Sequence, residues 1–158
     1  MEASTDVKST LMEQLRELRL PAFRNSFEEL AQRATQETSS YERYLLELTN
    51  RECDERRTRR IDRLLRDSRL PLEKTLECFD LKRLPAKTSR QVRTLLEGDF
   101  LDRRENVLAF GNSGTGKTHL LCAIGQELIR TRERGVYFSS CSMLVQDLLA
   151  DLDQALAP

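Results

Sequence analysis

Residues 111–118 read Gly111-Asn112-Ser113-Gly114-Thr115-Gly116-Lys117-Thr118. This is the pattern G-x-x-x-x-G-K-[ST], known as Walker A. The apolar run at 105–110 before it predicts a short strand. The spacing of Leu120, Leu121, Ile124 and Leu128 after it predicts a helix with one buried face. A glycine-rich loop between a strand and a helix is the context this motif requires, so these residues decide the fold predicted for the carboxyl-terminal third.

The chemistry of the motif points to a nucleoside triphosphate. Glycines let the backbone take unusual φ angles and approach phosphate oxygens closely, so that successive N–H groups form a concave anion site. The helix beginning near Gly116 directs its free N–H groups and the positive end of its dipole to the same place. Lys117 supplies a mobile cation for the β and γ phosphates, and Thr118 offers a hydroxyl to Mg²⁺. We therefore expect ATP with Mg²⁺ to bind at 111–118, with Thr118 as a metal ligand.

A second pair of elements follows the motif. Residues 135–140 predict another apolar strand, and Met143 to Leu152 predict another helix. Strand, helix, strand and helix in this order favour an α/β fold with a parallel sheet.

The amino-terminal part has helical periodicity instead. Leu11, Leu15 and Leu18 share one helical face, and a second helix is predicted beyond Pro21. The hydroxyls of residues 38–40 are suited to cap a long helix from Tyr41 to about Arg69. The predicted fold class is therefore α/β: an amino-terminal all-α helical domain followed by the first part of a parallel α/β P-loop domain. The predicted domains are residues 1–70 for interaction with DNA or a partner, a connector at 71–104, and the P-loop part at 105–158.

Arginines are concentrated in the long predicted helix. Residues 51–69 contain eight arginines against five acidic residues, and no lysine. One interpretation is contact with the phosphate backbone of double-stranded DNA through Arg56, Arg57, Arg59 and Arg60. The other is a solvated helix with ion pairs four residues apart, such as Glu52 with Arg56. The sequence leaves both interpretations open.

Composition narrows the remaining classes of function. The 158 residues include 26 Lys+Arg and 26 Asp+Glu, so net charge indicates no partner. The four cysteines form no C-x-x-C pair and there is one histidine, which excludes the usual spacing of a zinc site. No apolar run approaches the ~20 residues of a membrane span, and the amino terminus has no apolar signal core. We expect a cytoplasmic protein without a membrane partner.

The residues from Asn106 to Leu120 closely resemble the IstB-like ATP-binding proteins, helper ATPases of insertion-sequence transposition. These are similar to the DnaC helicase loaders and lie within the AAA+ class. Thr75-Leu76-Glu77-Cys78-Phe79-Asp80 also resembles the family's segment before the ATPase core. The resemblance implies an AAA+-like P-loop domain, assembly on DNA, and assistance of a transposase on target DNA. It leaves open whether copies of the chain associate with each other.

The end of the sequence departs from that family. Such proteins continue into an apolar strand carrying the Walker B carboxylates. Asp147, Asp151 and Asp153 lie instead in or beside a predicted helix, so we do not assign them this role. We therefore expect the front half of an ATPase, which binds ATP but does not hydrolyse it alone. Its predicted strands would either pair with each other or be only partly ordered.

Three other functions are compatible with the sequence. A DnaC-like helicase loader of DNA replication would share the same loop. A non-catalytic fragment could bind DNA or a partner while the loop is vestigial. A small-molecule P-loop kinase is disfavoured by the roughly 100-residue helical extension before the loop.

Overall fold

The computed structural model describes residues 2–156, with the side chains of residues 6–152 and 155 among them. These residues form seven α-helices, which we number in chain order. They are α1 (Glu2–Glu17), α2 (Pro21–Gln36), α3 (Tyr41–Asp67), α4 (Ala86–Glu97), α5 (Asp99–Asp102), α6 (Lys117–Arg132) and α7 (Cys141–Leu156), with a 3-10 turn at Leu81–Arg83. None of the helices found in this part of the chain combines the length and apolarity needed to cross a membrane.

The chain divides into two compact units, Met1–Arg60 and Ile61–Pro158. In the first unit α1 ends at Glu17, and the backbone turns through Arg19 with φ of 55°. Pro21 then opens α2, where its missing N–H costs no hydrogen bond. Each of the three helices contributes to the core of this unit, whose buried apolar side chains are Leu15, Ala22, Leu30 and Leu48. The helices predicted here are confirmed.

Glu52 is a buried charge in this first unit. The residue is 3% exposed, and one carboxylate oxygen accepts a 2.9 Å bond from the N–H of Ala22 in the first turn of α2. Arg56 donates to the other oxygen at 2.8 Å and also to the carbonyl of Arg19 at 3.0 Å. Leu20, the residue before α2, makes no side-chain cap bond, so Glu52 supplies a cap from another helix.

The second unit is built around α6. One side of this helix contributes Cys122 and Ile129 to a cluster with Leu70, against which Val136 and the apolar residues of the end of α3 pack. The other side contributes Ile124 and Leu128 to a cluster with Val92 of α4. Because α6 packs on two sides against these clusters, it is a rigid support for the loop that precedes it.

The predicted parallel α/β domain is wrong for the described residues: residues 2–156 contain no strand and no sheet. The segments 105–110 and 135–140 form no ladder of backbone hydrogen bonds, either with each other or with another described segment. A backbone bond of 2.7 Å runs from Phe138 to the carbonyl of Ser68, a residue just beyond α3. Leu108 is 75% exposed and Phe110 is 88% exposed. An apolar extended pattern supplies only strand propensity, and a sheet needs neighbouring strands to satisfy its backbone groups.

Helix α7 lacks the packing that surrounds α6. All of its described side chains are exposed, including the apolar residues Met143, Leu144, Val145, Leu148, Leu149 and Leu152. The helix forms where periodicity predicted it, but no described residue covers its apolar face.

Candidate nucleotide-binding site

The loop at 111–118 takes a backbone conformation that its glycines make accessible. Gly114 and Gly116 have φ of 77° and 84°, in the left-handed region that side chains disfavour. Gly116 is the residue immediately before α6, and its carbonyl accepts the N–H of Leu120 at 2.9 Å. The loop therefore leads directly into the amino-terminal end of a supported helix, where free N–H groups are available to an anion.

Lys117 lies across this loop. Its ammonium donates to the carbonyls of Gly111 at 2.9 Å and Asn112 at 2.7 Å. The Thr115 hydroxyl also donates to the Asn112 carbonyl, at 2.9 Å. The two ends of the loop are thus held together by one cation, which places a positive charge within the ring of backbone groups.

Thr118 is exposed in the first turn of α6. Its hydroxyl suits one position in the coordination shell of Mg²⁺, an ion that usually keeps several waters and takes further oxygens from phosphate. Within residues 2–156 no group of three or more His, Cys, Asp or Glu side chains is placed to hold a metal ion. The Thr118 hydroxyl therefore fits a metal whose other ligands are water and phosphate oxygens.

A cavity of about 1110 Å³ lies beside the loop, within the second unit. Gly111, Thr115, Gly116 and Lys117 form part of its wall, and most of the rest comes from α4, α6 and the segment 105–110, with Phe79 and Phe100 among the other lining residues. The carboxylate of Glu105 also lines it, and Arg103 donates to that carboxylate at 2.8 Å and 3.0 Å. This hydrogen bonding holds the pKa of Glu105 below its usual value. The cavity thus combines apolar walls with cations and one paired carboxylate.

Two residues outside the motif hold the start of α6 in place. The first is His119, whose ring nitrogen lies 2.9 Å from the carbonyl oxygen of Thr75. Its ring also lies 5.3 Å from the ring of Phe79. These contacts join residues 40 or more positions apart, so no local pattern could have indicated them. Farther along α6, the buried Gln126 donates to the carbonyls of Pro71 and Lys74.

The arginines considered for DNA contact are exposed on α3. Arg56 is held by Glu52 and by the carbonyl of Arg19, and Arg59 donates to Glu55. The ion pair between Glu52 and Arg56, expected in the solvated-helix interpretation, is present. Pairing of this kind restrains the side chains without removing their charge from the surface, so DNA contact stays a prediction.

Among the aspartates near the carboxyl end, Asp147 and Asp151 make no hydrogen bond to the loop motif in the described part of the chain. Asp147 and Asp151 are exposed on α7, and Asp147 accepts a 3.3 Å bond from the hydroxyl of Tyr137. The side chain of Asp153 lies outside the described residues.

Comparison with known proteins assigns the family. Residues 13–157 match the family model described as IstB-like ATP binding protein. The chain is 36% identical over 142 residues to a proposed ATP-binding protein of insertion sequence IS5376 from Geobacillus stearothermophilus, covering 90% of this chain and 56% of that protein. It is 38% identical over 135 residues to a proposed insertion sequence ATP-binding protein from Sinorhizobium fredii, covering 85% of this chain and 45% of that protein.

A third relative is a proposed ATP-binding protein of insertion sequence IS21 from Pseudomonas aeruginosa. It is 34% identical over 122 residues, which cover 77% of this chain and 46% of that protein. The chain spans about half the length of these curated relatives. Because the family model matches most of the chain, this protein belongs to the family of IstB-like ATP binding proteins.

Proposed function

We propose that the chain binds ATP with Mg²⁺ at residues 111–118 and serves as an ATP-binding helper of insertion-sequence transposition. The observation that carries the proposal is the loop itself. Gly114 and Gly116 have positive φ, Lys117 lies within the ring of backbone groups, and the supported helix α6 begins at the same point. These are the features that a triphosphate requires of a cradle made from backbone N–H groups.

The proposed roles of the residues follow from that geometry. The loop backbone from Gly111 to Gly116, with Asn112, Ser113 and Thr115 between its glycines, supplies N–H groups to phosphate oxygens. Lys117 exchanges its carbonyl partners for the β and γ phosphates, which are stronger acceptors because they are charged. Thr118 provides one oxygen to Mg²⁺, whose role when bound is to neutralise phosphate charge.

The transposition role rests on the names of the relatives, each of which refers to an insertion sequence. These names favour a transposition helper over a DnaC-like helicase loader. The partners proposed with this role are double-stranded DNA, a transposase and further copies of this chain. Since the DNA of bacteria such as these relatives' hosts lies in the cytoplasm, we place the proposed action there.

Nucleotide binding is tested by titrating a fluorescent ATP analogue with Mg²⁺ into the chain and its Lys117→Ala variant. We expect the dissociation constant to rise at least about tenfold, because the variant loses a charge-assisted contact to phosphate. Lys82→Ala is the matched control, since Lys82 is exposed and does not line the cavity. Equal affinity in the chain and in Lys117→Ala would remove this loop as the binding site.

The helper role needs a separate measurement. A transposition assay with the transposase of the same element should give more target insertion with the chain than without it, and Lys117→Ala should lose that gain. If the chain stimulates a replicative helicase and leaves transposition unchanged, the helicase-loader alternative is correct.

A further inference from the structure

The segment 75–79 makes two contacts with the start of α6, and both converge on the phosphate-binding loop. The first contact joins His119 Nε2 to the carbonyl oxygen of Thr75 at 2.9 Å. A carbonyl oxygen can only accept, so this ring nitrogen carries the proton and donates. His119 directly follows Thr118, and the bond therefore fixes the first turn of α6 to a segment more than 40 residues away.

The second contact is made by the ring of Phe79. This ring lies 5.3 Å from that of His119, with an angle of 59° between the ring planes. It also lies against the Cα of Gly116, because a Cβ there would stand 2.9 Å from Cε2 of Phe79. Phe79 lines the same cavity as Gly111 and Lys117. One aromatic ring thus contacts both the histidine and the last glycine of the loop.

We propose that His119 and Phe79 are positioning residues for the nucleotide-binding loop. The two side chains form a clasp, defined here as His119, Phe79 and the Thr75 carbonyl, which holds Gly116 at the point where the loop becomes helix. A loop with three glycines loses much conformational entropy when it is ordered around phosphates. Contacts that hold Gly116 beforehand reduce this cost at the moment of binding. The inference rests on the proposed function, since it concerns how the same loop binds ATP.

The structure contains an internal control for this clasp. Gln126 is fully buried and donates to the carbonyls of Pro71 at 3.1 Å and Lys74 at 3.0 Å. It therefore joins the same connecting segment to the same helix, but about two turns beyond His119. Arg132, at the end of α6, provides a second control because it joins the helix to Asp99 at 2.8 Å. Both controls stabilise α6 without touching the loop.

The test compares the full chain with His119→Ala, Phe79→Ala, Gln126→Ala and Arg132→Ala. The dissociation constant of a fluorescent ATP analogue and the thermal midpoint are measured for each. We expect His119→Ala and Phe79→Ala each to raise the dissociation constant roughly fivefold. A change of this size in binding free energy is comparable to that of one hydrogen bond. The double variant should lose less than the product of the two effects, since both act through Gly116. Gln126→Ala and Arg132→Ala should lower the midpoint but leave affinity within about twofold.

Rescue and hydrogen exchange separate positioning from general stability. His119→Gln retains a side-chain N–H donor that reaches the Thr75 carbonyl, so it should recover most of the affinity lost in His119→Ala. Without nucleotide, the amide of Leu120, which donates to the Gly116 carbonyl, should exchange faster in His119→Ala than in either control.

The outcomes distinguish the two proposals. Binding that is lost in Lys117→Ala but unchanged in His119→Ala and Phe79→Ala overturns the clasp alone. The clasp is also overturned if the loss of ATP affinity is proportional to the drop in thermal midpoint in all four variants, because the loss would then reflect stability alone. Failure of the chain itself to bind ATP overturns the proposed function, and the exchange of Leu120 then decides whether the clasp still orders the loop.

Discussion

The loop at 111–118 and the arginine stretch of α3 are both cationic features of the sequence, but they differ in what the fold does with the charge. In the loop, backbone conformation dominates: three glycines with positive φ set the shape, and the single cation Lys117 is held by carbonyl groups. On α3, side chains dominate, and Arg56 and Arg59 are held by carboxylates of their own helix. Carbonyl groups give up an ammonium to phosphate more readily than carboxylates give up a guanidinium, because they carry no net charge.

The comparison indicates that residues which shape the backbone predict a function more sharply than the number of cations in a segment does. Eight arginines on one stretch leave two interpretations open because neighbouring acids satisfy some of them. Eight residues in the loop allow far fewer interpretations, since few functions other than close approach to an anion require that backbone.

The largest expected effect concerns the rate of ATP hydrolysis. We predict that a polypeptide of residues 1–158 binds ATP but releases phosphate at close to the uncatalysed rate, with or without DNA. Hydrolysis needs a carboxylate that helps to hold Mg²⁺ and the attacking water. Glu105 supplies the one carboxylate among the described residues that line the cavity, and Arg103 already donates to it. Missing groups that stabilise the transition state typically cost about 10² or more each. Steady phosphate release that disappears in Lys117→Ala would contradict this prediction and show that the loop belongs to a complete catalytic site.

The second effect concerns the arginine stretch. If Arg56, Arg57, Arg59 and Arg60 contact DNA phosphates, replacing all four by Gln should reduce the log–log salt slope of duplex binding by up to about 3.6, at roughly 0.9 per phosphate. Affinity is measured by fluorescence anisotropy between low and physiological salt. The matched control replaces Arg33 and Arg43, exposed arginines of the same unit that also pair with a carboxylate. A quadruple variant that keeps both its affinity and its slope supports the solvated helix.

The third effect separates two glycines of the loop. A Cβ added at Gly114 would contact no other atom. The expected free-energy cost of Gly114→Ala is therefore that of the positive φ alone, about 1–2 kcal/mol. Ala at Gly116 has the same backbone cost and must also displace the ring of Phe79. We therefore expect Gly116→Ala to weaken ATP binding at least about tenfold and more than Gly114→Ala does. The measurement is titration of both variants under the same conditions. The opposite order would show that the Phe79 contact does not shape the loop.

The smallest effect is on the free energy of unfolding, and it tests whether the pair of Glu52 and Arg56 has a structural role. Burial acts to raise the pKa of Glu52, but hydrogen bonds from Arg56 and from the Ala22 N–H outweigh it and lower the pKa below 4.5. The fold therefore favours the carboxylate, and its contribution is fully present above the unfolded pKa. It is lost as pH falls through the lower folded value. Glu52→Ala should cost about 1–3 kcal/mol at pH 7.

This loss is measured by urea unfolding between pH 7 and pH 3, where the difference between Glu52→Ala and the unmodified chain should shrink at acid pH. Glu29→Ala is the control, because Glu29 forms an exposed pair with Arg51 and should cost no more than about 1 kcal/mol. If both variants lose the same small amount, Glu52 does not cap α2, and Arg56 is available for another role.

Local features of this protein were determined by the sequence alone. The helical spacing of Leu11, Leu15 and Leu18 predicted the first helix, which ends at Glu17. A second helix was expected beyond Pro21 and begins at Pro21 itself, and the long α3 begins at Tyr41 as expected. The Walker A residues indicated the loop and the helix after it. These predictions succeed because capping, glycine conformation and helical periodicity depend on residues a few positions apart.

Only the tertiary structure decided strand pairing, burial and hydrogen bonds between residues that are far apart in the sequence. The apolar segments 105–110 and 135–140 carry strand propensity, yet without neighbouring strands they remain unpaired, while α6 packs against α4 and the residues after α3. Glu52 accepts a hydrogen bond from the N–H of Ala22, 30 residues earlier, and His119 binds a carbonyl 44 residues away. A local pattern states which conformation a segment prefers, but burial and hydrogen-bond partners are set only when distant segments meet.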